Sequence, residues 1–294
     1  MVNKMAYMAG IIDGDGSFGI RVDAKKWYRP YLQFETTYPE LADMLYLCFG
    51  GSLLEHKVRV GKTRLGKKPT TKYSIGSQQV QALAESIYPY ITVKKTQCLV
   101  VKDWYKYDAS CREKFYIQLA ALKNEYIAIS PIIRRGNNLC DNAWSYIAGI
   151  MDTDGSFSVS TSKKGHQRGT ISLTMNCAGA INFIIRNTKE GNICIVKAKT
   201  ARKGCQYRFQ IQKTADIKTF LDKLLPYLTI KKDNALKLYN YCINVMQKNG
   251  VVKSPLIVLE PLPDNAGGNK EQAGFMPCSL NAVSEETSKD DAVL

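Results

Sequence analysis

The chain repeats itself once at long range. Tyr7-Met-Ala-Gly-Ile-Ile-Asp-Gly-Asp-Gly-Ser-Phe18 matches Tyr146-Ile-Ala-Gly-Ile-Met-Asp-Thr-Asp-Gly-Ser-Phe157 at nine of twelve positions, with an offset of 139. Pro89-Tyr-Ile-Thr-Val-Lys-Lys95 matches Pro226-Tyr-Leu-Thr-Ile-Lys-Lys232 at five of seven, with an offset of 137. Two blocks in the same order at nearly equal separation require a duplicated unit of more than a hundred residues, too long for a solenoid repeat. The 294 residues therefore read as a tandem pair of α+β units at 1–107 and 141–250, joined by a segment at 108–140 and followed by 251–294.

Within each unit the apolar spacing predicts helix, hairpin, helix, hairpin, helix. In the first, helix is expected at 3–13, strands at 17–23 and 28–37, helix from Pro39 to about Phe49, strands at 52–60 and 71–76, and helices near 77–88 and 91–107. The second repeats the order with helix 142–152, strands 156–162 and 168–176, helix 178–187, strands 192–199 and 205–212, and helices 214–225 and 229–248. A further helix is expected at 112–128 in the connecting segment, and the Pro-, Gly- and acid-rich end reads as a mobile tail.

Charge narrows the partner. The chain carries 41 Lys and Arg against 26 Asp and Glu, a net charge of +15. From Glu260 onward there are seven acidic residues and two Lys, so residues 1–259 hold +20. In a composition of globular type, that excess points to a polyanion, because neutralised phosphates release counterions. No apolar run reaches the roughly 18 residues of a membrane span, and no secretory signal is evident, so an intracellular protein without membrane contact is expected. The nine cysteines contain no Cys-x-x-Cys pair and suggest reduced thiols rather than zinc or a disulfide framework.

The repeated helix carries small residues four apart, Ala6 and Gly10 in one copy and Ser145 and Gly149 in the other. A helical glycine costs roughly 1 kcal/mol against alanine, so matched glycines point to two helices packed backbone to backbone. Such packing would bring Asp15 and Asp154 together where the helices end. Free carbonyls, the negative end of each dipole and an added carboxylate make a hard-cation site. The bland reading is a polar turn, with Gly16 and Gly155 supplying positive φ. Asp13 and Asp152 fit support of the helix end better than direct metal binding.

These two blocks, Met8-Ala-Gly-Ile-Ile-Asp-Gly-Asp-Gly16 and Ile147-Ala-Gly-Ile-Met-Asp-Thr-Asp-Gly155, resemble the LAGLIDADG motif of homing endonucleases, in its single-chain, double-motif form. The resemblance covers about residues 3–250. It implies a saddle of two αββαββα units related by a pseudo-two-fold, each laying a four-stranded antiparallel sheet in the DNA major groove. It also implies Mg²⁺, two or three ions replaceable by Ca²⁺ or Mn²⁺, held by Asp15 and Asp154 with the carbonyls of Gly14 and Thr153. The family's basic residue corresponds to Lys94 and Lys231, which could orient water or offset developing charge. A polar water-binding residue at the end of the second strand would be Thr36 in the first half and Met175 or Cys177 in the second, so the two halves are expected to be unequal. The family further implies an intracellular setting, in a bacterial or phage-infected cytoplasm or an organelle matrix.

Strand alternation supplies a recognition face without the resemblance. With Phe18, Ile20 and Val22 inward, Gly19, Arg21, Asp23 and Lys25 face out, and Arg29, Tyr31, Gln33 and Glu35 continue that face. The second face holds Ser158, Ser160, Ser162 and Lys164, then Arg168, Thr170, Ser172 and Thr174, then Gln206, Arg208 and Gln210. Arg, Gln, Ser and Thr read base edges. Gly61 to Lys68 nearly spells a P-loop, but Lys68 replaces its Ser/Thr; Lys62, Arg64, Lys67 and Lys68 read instead as a hairpin tip on DNA phosphates. The expectation is a monomeric, site-specific endonuclease acting on asymmetric double-stranded DNA. A maturase acting on intron RNA and a non-catalytic DNA-binding regulator on the same fold are the alternatives.

Overall fold

A computed structural model of the chain describes residues 2–24, 27–56, 69–122, 141–188, 190–197 and 205–250. The first repeat runs α1 (Lys4–Asp15), β1 (Gly16–Val22), β2 (Tyr28–Thr36), α2 (Pro39–Phe49), β3 (Ser52–His56), β4 (Thr70–Gly76), α3 (Ser77–Ile87) and α4 (Lys95–Lys102). After α5 (Ala109–Leu122) the second repeat follows as α6 (Asp141–Thr153), β5 (Gly155–Thr161), β6 (Gln167–Met175), α7 (Gly179–Asn187), β7 (Asn192–Lys197), β8 (Cys205–Ile211), α8 (Thr214–Leu224) and α9 (Lys232–Lys248). Both repeats form a four-stranded antiparallel sheet with the same order, β1-β2-β4-β3 and β5-β6-β8-β7.

Local chemistry explains the element starts. Asn3 caps α1, its side-chain oxygen accepting from the Met5 and Ala6 amides. Pro39 opens α2, where a missing N–H costs nothing. β4 alternates with period two: Thr71, Tyr73 and Ile75 are buried, while Thr70, Lys72 and Ser74 are half-exposed. One apolar cluster crosses both repeats through α1 and α6 and includes fully buried Ile11, Ile12, Ile147, Ile150 and Met151. Each such side chain contributes about 1.5–3 kcal/mol. A satellite cluster of Ile20, Val100, Trp104 and Leu119, flanked by Tyr28, Tyr107 and Phe115, seats α5 against the first repeat.

Three details depart from the sequence reading. Val22 is 40% exposed rather than inward, because it pairs with Tyr28 at the far end of the β1–β2 hairpin. The helix expected over 91–107 is α4 alone, followed by a 3₁₀ turn at Trp104–Lys106. It starts late because the amides of residues 92–94 are committed to Asp13. Gly16 has extended backbone with φ −74°, and Gly155 is not among the positive-φ glycines. Both are glycine for space: a Cβ there would press on the carbonyl oxygens of Ile12 and Met151 respectively.

Candidate active site

The glycine-bearing helices meet as their spacing requires. A Cβ on Gly10 would overlap the Tyr146 carbonyl oxygen, and one on Gly149 would overlap the Tyr7 carbonyl oxygen. At the N-terminal end the Asn3 amide donates to Ser145 Oγ at 3.0 Å, and Asn3 Nδ2 donates to Asn142 Oδ1 at 2.7 Å. At the other end Gly14 abuts the Thr153 side chain, which occupies the space a Cβ would need. Asp15, the last residue of α1, and Asp154, the first beyond α6, therefore emerge side by side.

Their electrostatics report the crowding. The Asp15 carboxyl is pushed up to about 6 by withdrawal from water and then by the Asp154 carboxylate, with Lys94 and Lys231 pulling the other way. Asp154 is also raised by withdrawal from water, again opposed by the two lysines. Both side chains still reach solvent. Among the described residues no group of three or more His, Cys, Asp or Glu side chains could hold a metal ion, so any cation here would rest on this pair and on backbone oxygens.

Lys94 and Lys231 are not solvated charges beside a helix start. Each side chain folds back onto the C-terminal turn of its own motif helix. Lys94 Nζ donates to the carbonyls of Ile12 at 2.8 Å, Asp13 at 2.7 Å and Gly14 at 3.2 Å. Lys231 Nζ donates to Thr153 O at 2.6 Å and Gly155 O at 2.7 Å. A cation there is favoured by the carbonyls at the negative end of the helix dipole, of which Ile12 O also accepts the Gly16 amide. Burial lowers both lysine pKa values, while nearby aspartates oppose the shift. The carbonyls of Gly14 and Thr153 thus already carry a cationic partner.

Asp13 and Asp152 hold the lysine loops. Buried Asp13 accepts the amides of Thr92, Val93 and Lys94, each at 2.8 Å, and Asp152 accepts those of Thr229 at 2.9 Å, Ile230 at 3.3 Å and Lys231 at 2.8 Å. Each also takes a hydroxyl from the opposite repeat, Tyr146 onto Asp13 at 2.7 Å and Tyr7 onto Asp152 at 2.6 Å. The aspartates thus take the supporting role expected of them, and the two tyrosines join them without having been among the expected site residues. Their signal was present, since Tyr heads both copies of the repeated block.

The halves differ at the rim. A cleft of about 340 Å³ opens beside Asp15, lined by Glu35, Thr36, Thr37, Tyr38, Thr70 and Thr153. Thr36 is buried and its hydroxyl accepts from the Tyr38 amide, whereas Glu35 is exposed and accepts from Thr70 Oγ1 at 2.7 Å. Lys231 Nζ lies 5.9 Å from the Tyr38 ring centre. By the 139-residue offset, Met175 replaces Thr36 and Cys177 replaces Tyr38. Burial raises the Cys177 thiol, opposed by the Gly179 and Ala180 amides and by Lys94.

No protein-family model and no curated protein matches the sequence. Solved structures do. The LAGLIDADG homing endonuclease I-GzeII, in complex with a DNA target, aligns at 16% identity and a TM-score of 0.57 over 86% of this chain and 94% of that one. Meganuclease I-SmaMI bound to uncleaveable DNA aligns at 18% identity and 0.58 over 85% and 94%. I-LtrWI bound to target DNA aligns at 13% identity and 0.58 over 85% and 93%. The chain has the LAGLIDADG homing endonuclease fold, with both repeats in one polypeptide.

In this fold the strand residues fall on two polar faces. On the first, Arg21, Asp23, Arg29 and Glu35 are exposed, and Tyr31 and Gln33 half-buried. Gly19 is not available as expected: it is buried, and the Tyr31 ring fills the place of its missing side chain. Arg21 stacks on that ring at 4.6 Å. Asp23 accepts from the Trp27 amide at 2.9 Å and pairs with Arg29 at 3.5 Å, so it closes the hairpin turn. Lys72 and Ser74 of β4, opposite Glu35 and Gln33, share the face and were missed, although Tyr73 and Ile75 fixed the alternation.

On the second face Ser158, Ser160, Ser162, Lys164 and Arg168 are exposed, and Thr170, Ser172, Thr174, Gln206, Arg208 and Gln210 half-buried. Several are already tethered. Arg208 Nε donates to Thr174 Oγ1 at 3.2 Å, Gln206 Nε2 to Asn176 Oδ1 at 3.0 Å, and Arg168 to Gln212 Oε1. Ser162 Oγ accepts from the His166 amide and closes the β5–β6 turn. Lys25, Lys62, Arg64, Lys67 and Lys68 lie outside the described residues, as does the chain after Gly250. Among the described residues no helix is long and apolar enough to cross a membrane.

Proposed function

We propose that the protein is a site-specific DNA endonuclease that cuts both strands of a long, asymmetric double-stranded target by metal-dependent phosphodiester hydrolysis. The observation that carries this reading is the Asp15–Asp154 pair, built by two copies of one helix and set in a body of net charge +20 that bears two polar strand faces. The unlike side chains of those faces favour an asymmetric target. The same helix pair within one chain favours a monomer, and light scattering at moderate salt should give about 33 kDa.

The donor set fits Mg²⁺, with Ca²⁺ or Mn²⁺ as substitutes. Two carboxylates raised by withdrawal from water, Asp15 also by Asp154, gain from a divalent cation between them, and oxygen donors at helix C-termini suit a hard ion. Asp15 and Asp154 would hold it, with the Gly14 and Thr153 carbonyls beside them. Bound there, the ion supplies charge stabilisation for the phosphate and a more acidic water. Lys94 and Lys231 hold positive charge next to the carboxylates, which offsets negative charge developing on a phosphate. Asp13 and Asp152 keep the lysine loops in register with the helix ends.

The test uses DNA formed by joining the segments that flank the reading frame. Wild type should make one double-strand break in Mg²⁺ and none with chelator. Asp15→Asn and Asp154→Asn keep size but lose charge, so each should lower cleavage at least on the order of a thousandfold while binding in Ca²⁺ persists. Normal cutting by either variant rejects the assignment.

A further inference from the structure

Tyr7 and Tyr146 are each 1% exposed in the molecule's centre, and each places its hydroxyl on a carboxylate of the opposite repeat. Asp152 collects four donors, three amides from its own lysine loop and Tyr7 Oη from across the helix pair. Asp13 collects the mirror set, with Tyr146 Oη as the fourth. A buried carboxylate is stable only while its acceptor sites are filled. Neither repeat fills them alone, because the fourth donor reaches its carboxylate only when Gly10 and Gly149 let the two backbones touch.

We propose that Tyr7 and Tyr146 are positioning residues that act crosswise: Tyr7, through Asp152, fixes the loop carrying Lys231, and Tyr146, through Asp13, fixes the loop carrying Lys94. The third amide in each set belongs to the lysine itself, at 2.8 Å in both copies, so a carboxylate that shifts carries the lysine backbone with it. The lysine side chain then returns to the C-terminal carbonyls of the helix that bears that aspartate. Each half-site is thereby completed by the other half's tyrosine. Assembly of the helix pair and placement of the lysines become one event, which keeps a half-assembled chain from presenting a working site.

The structural part of this inference stands without the nuclease reading; its kinetic consequence rests on it. Tyr7→Phe and Tyr146→Phe remove one oxygen each and keep the ring. Amide hydrogen exchange on the full chain without DNA should speed up about tenfold at residues 229–231 in Tyr7→Phe, with 92–94 unchanged, and the reverse in Tyr146→Phe; tenfold is the loss of one hydrogen bond to a charged acceptor. In strand-resolved single-turnover cleavage, each variant should slow one strand about tenfold, and the two variants should slow opposite strands. Unchanged exchange at the named loops, or equal acceleration of both loops in each variant, overturns the proposal. Equal slowing of both strands overturns its kinetic half. If wild type cuts no DNA, the nuclease reading falls and the exchange pattern alone decides the lock. Should one variant fail to fold, the other must show its one-sided pattern.

Discussion

Lys94 and Lys231 occupy matching loops, yet their ammonium groups are used differently. Lys94 gives three hydrogen bonds to the carbonyls ending α1, as many as it has protons to give. Lys231 gives two to the second repeat, and its remaining side lies toward the Tyr38 ring and the cleft beside Asp15. Cys177, in the place of Tyr38, faces Lys94 with a smaller, softer side chain. Beneath the rim the copies agree almost bond for bond, from the glycine contact to the aspartate-held loops. Symmetry is kept where two copies of one backbone must fit each other, and lost at the rim, where the side chains of one half do not meet their counterparts in the other.

The shared contact is the largest effect to test. Gly10→Ala or Gly149→Ala places a methyl against a backbone carbonyl that cannot turn away, and each should cost about 3 kcal/mol in urea unfolding, nearly equally. A loss confined to one position would break the pseudo-two-fold account of the helix pair.

The lysines come next. Lys94→Met leaves the Asp13 and Gly14 carbonyls without their ammonium, while Ile12 O keeps the Gly16 amide, and Lys231→Met does the same to the Thr153 and Gly155 carbonyls, so each should lose about 1 to 3 kcal/mol in urea unfolding and by similar amounts. In strand-resolved cleavage Lys231→Met should be the more damaging to its strand, because that ammonium has a proton left to offer. Equal nicking rates for the two variants would remove the distinction between the corners.

The strand faces give a smaller contrast. Arg21 is poised by an aromatic ring and Arg208 by the Thr174 hydroxyl. Changing either to Ala should relax preference at one narrow window of target positions by about 1 kcal/mol, at different places for the two variants. Binding of a single-substitution target library measures this. A uniform loss across all sequences would place both arginines on phosphates instead.

Protonation gives the smallest effect. Asp15 titrates near 6 in the folded metal-free protein against 3.8 in an unfolded chain, so folding favours its protonated form. That contribution to stability is complete below 3.8 and lost as pH rises through about 6. The Tm of chelator-treated protein should therefore climb by a few degrees between pH 7 and pH 5, and Asp15→Asn should flatten the climb and raise Tm at pH 7.5. A wild-type Tm that falls over that window contradicts the crowding of the carboxylate pair.

Periodicity and self-similarity made the element order legible, because one apolar face per helix or strand leaves its period in the sequence whatever the tertiary partners are. Pro39, Gly10 and Gly149 could be interpreted from local sterics alone, and the structure places them as those sterics require. Gly16 and Gly155 do not form the left-handed cap of the polar-turn alternative; here the missing Cβ relieves pressure on the preceding turn. Gly19 misled: alternation put it outward, and only the neighbouring strand showed that Tyr31 covers it.

What the sequence determined by itself was the duplication, the paired helices and the two carboxylates at their ends, because each rests on identity and spacing along one chain. What only the tertiary structure decided was the wiring between copies. Tyr7 meets Asp152 across 145 residues and Tyr146 meets Asp13 across 133, while Lys94 and Lys231 turn back onto helix ends some eighty residues earlier. A hydroxyl, a carboxylate and an ammonium carry no periodic trace of their partners. Their pairing is fixed only when burial strips them of water and leaves each other as the available donors and acceptors.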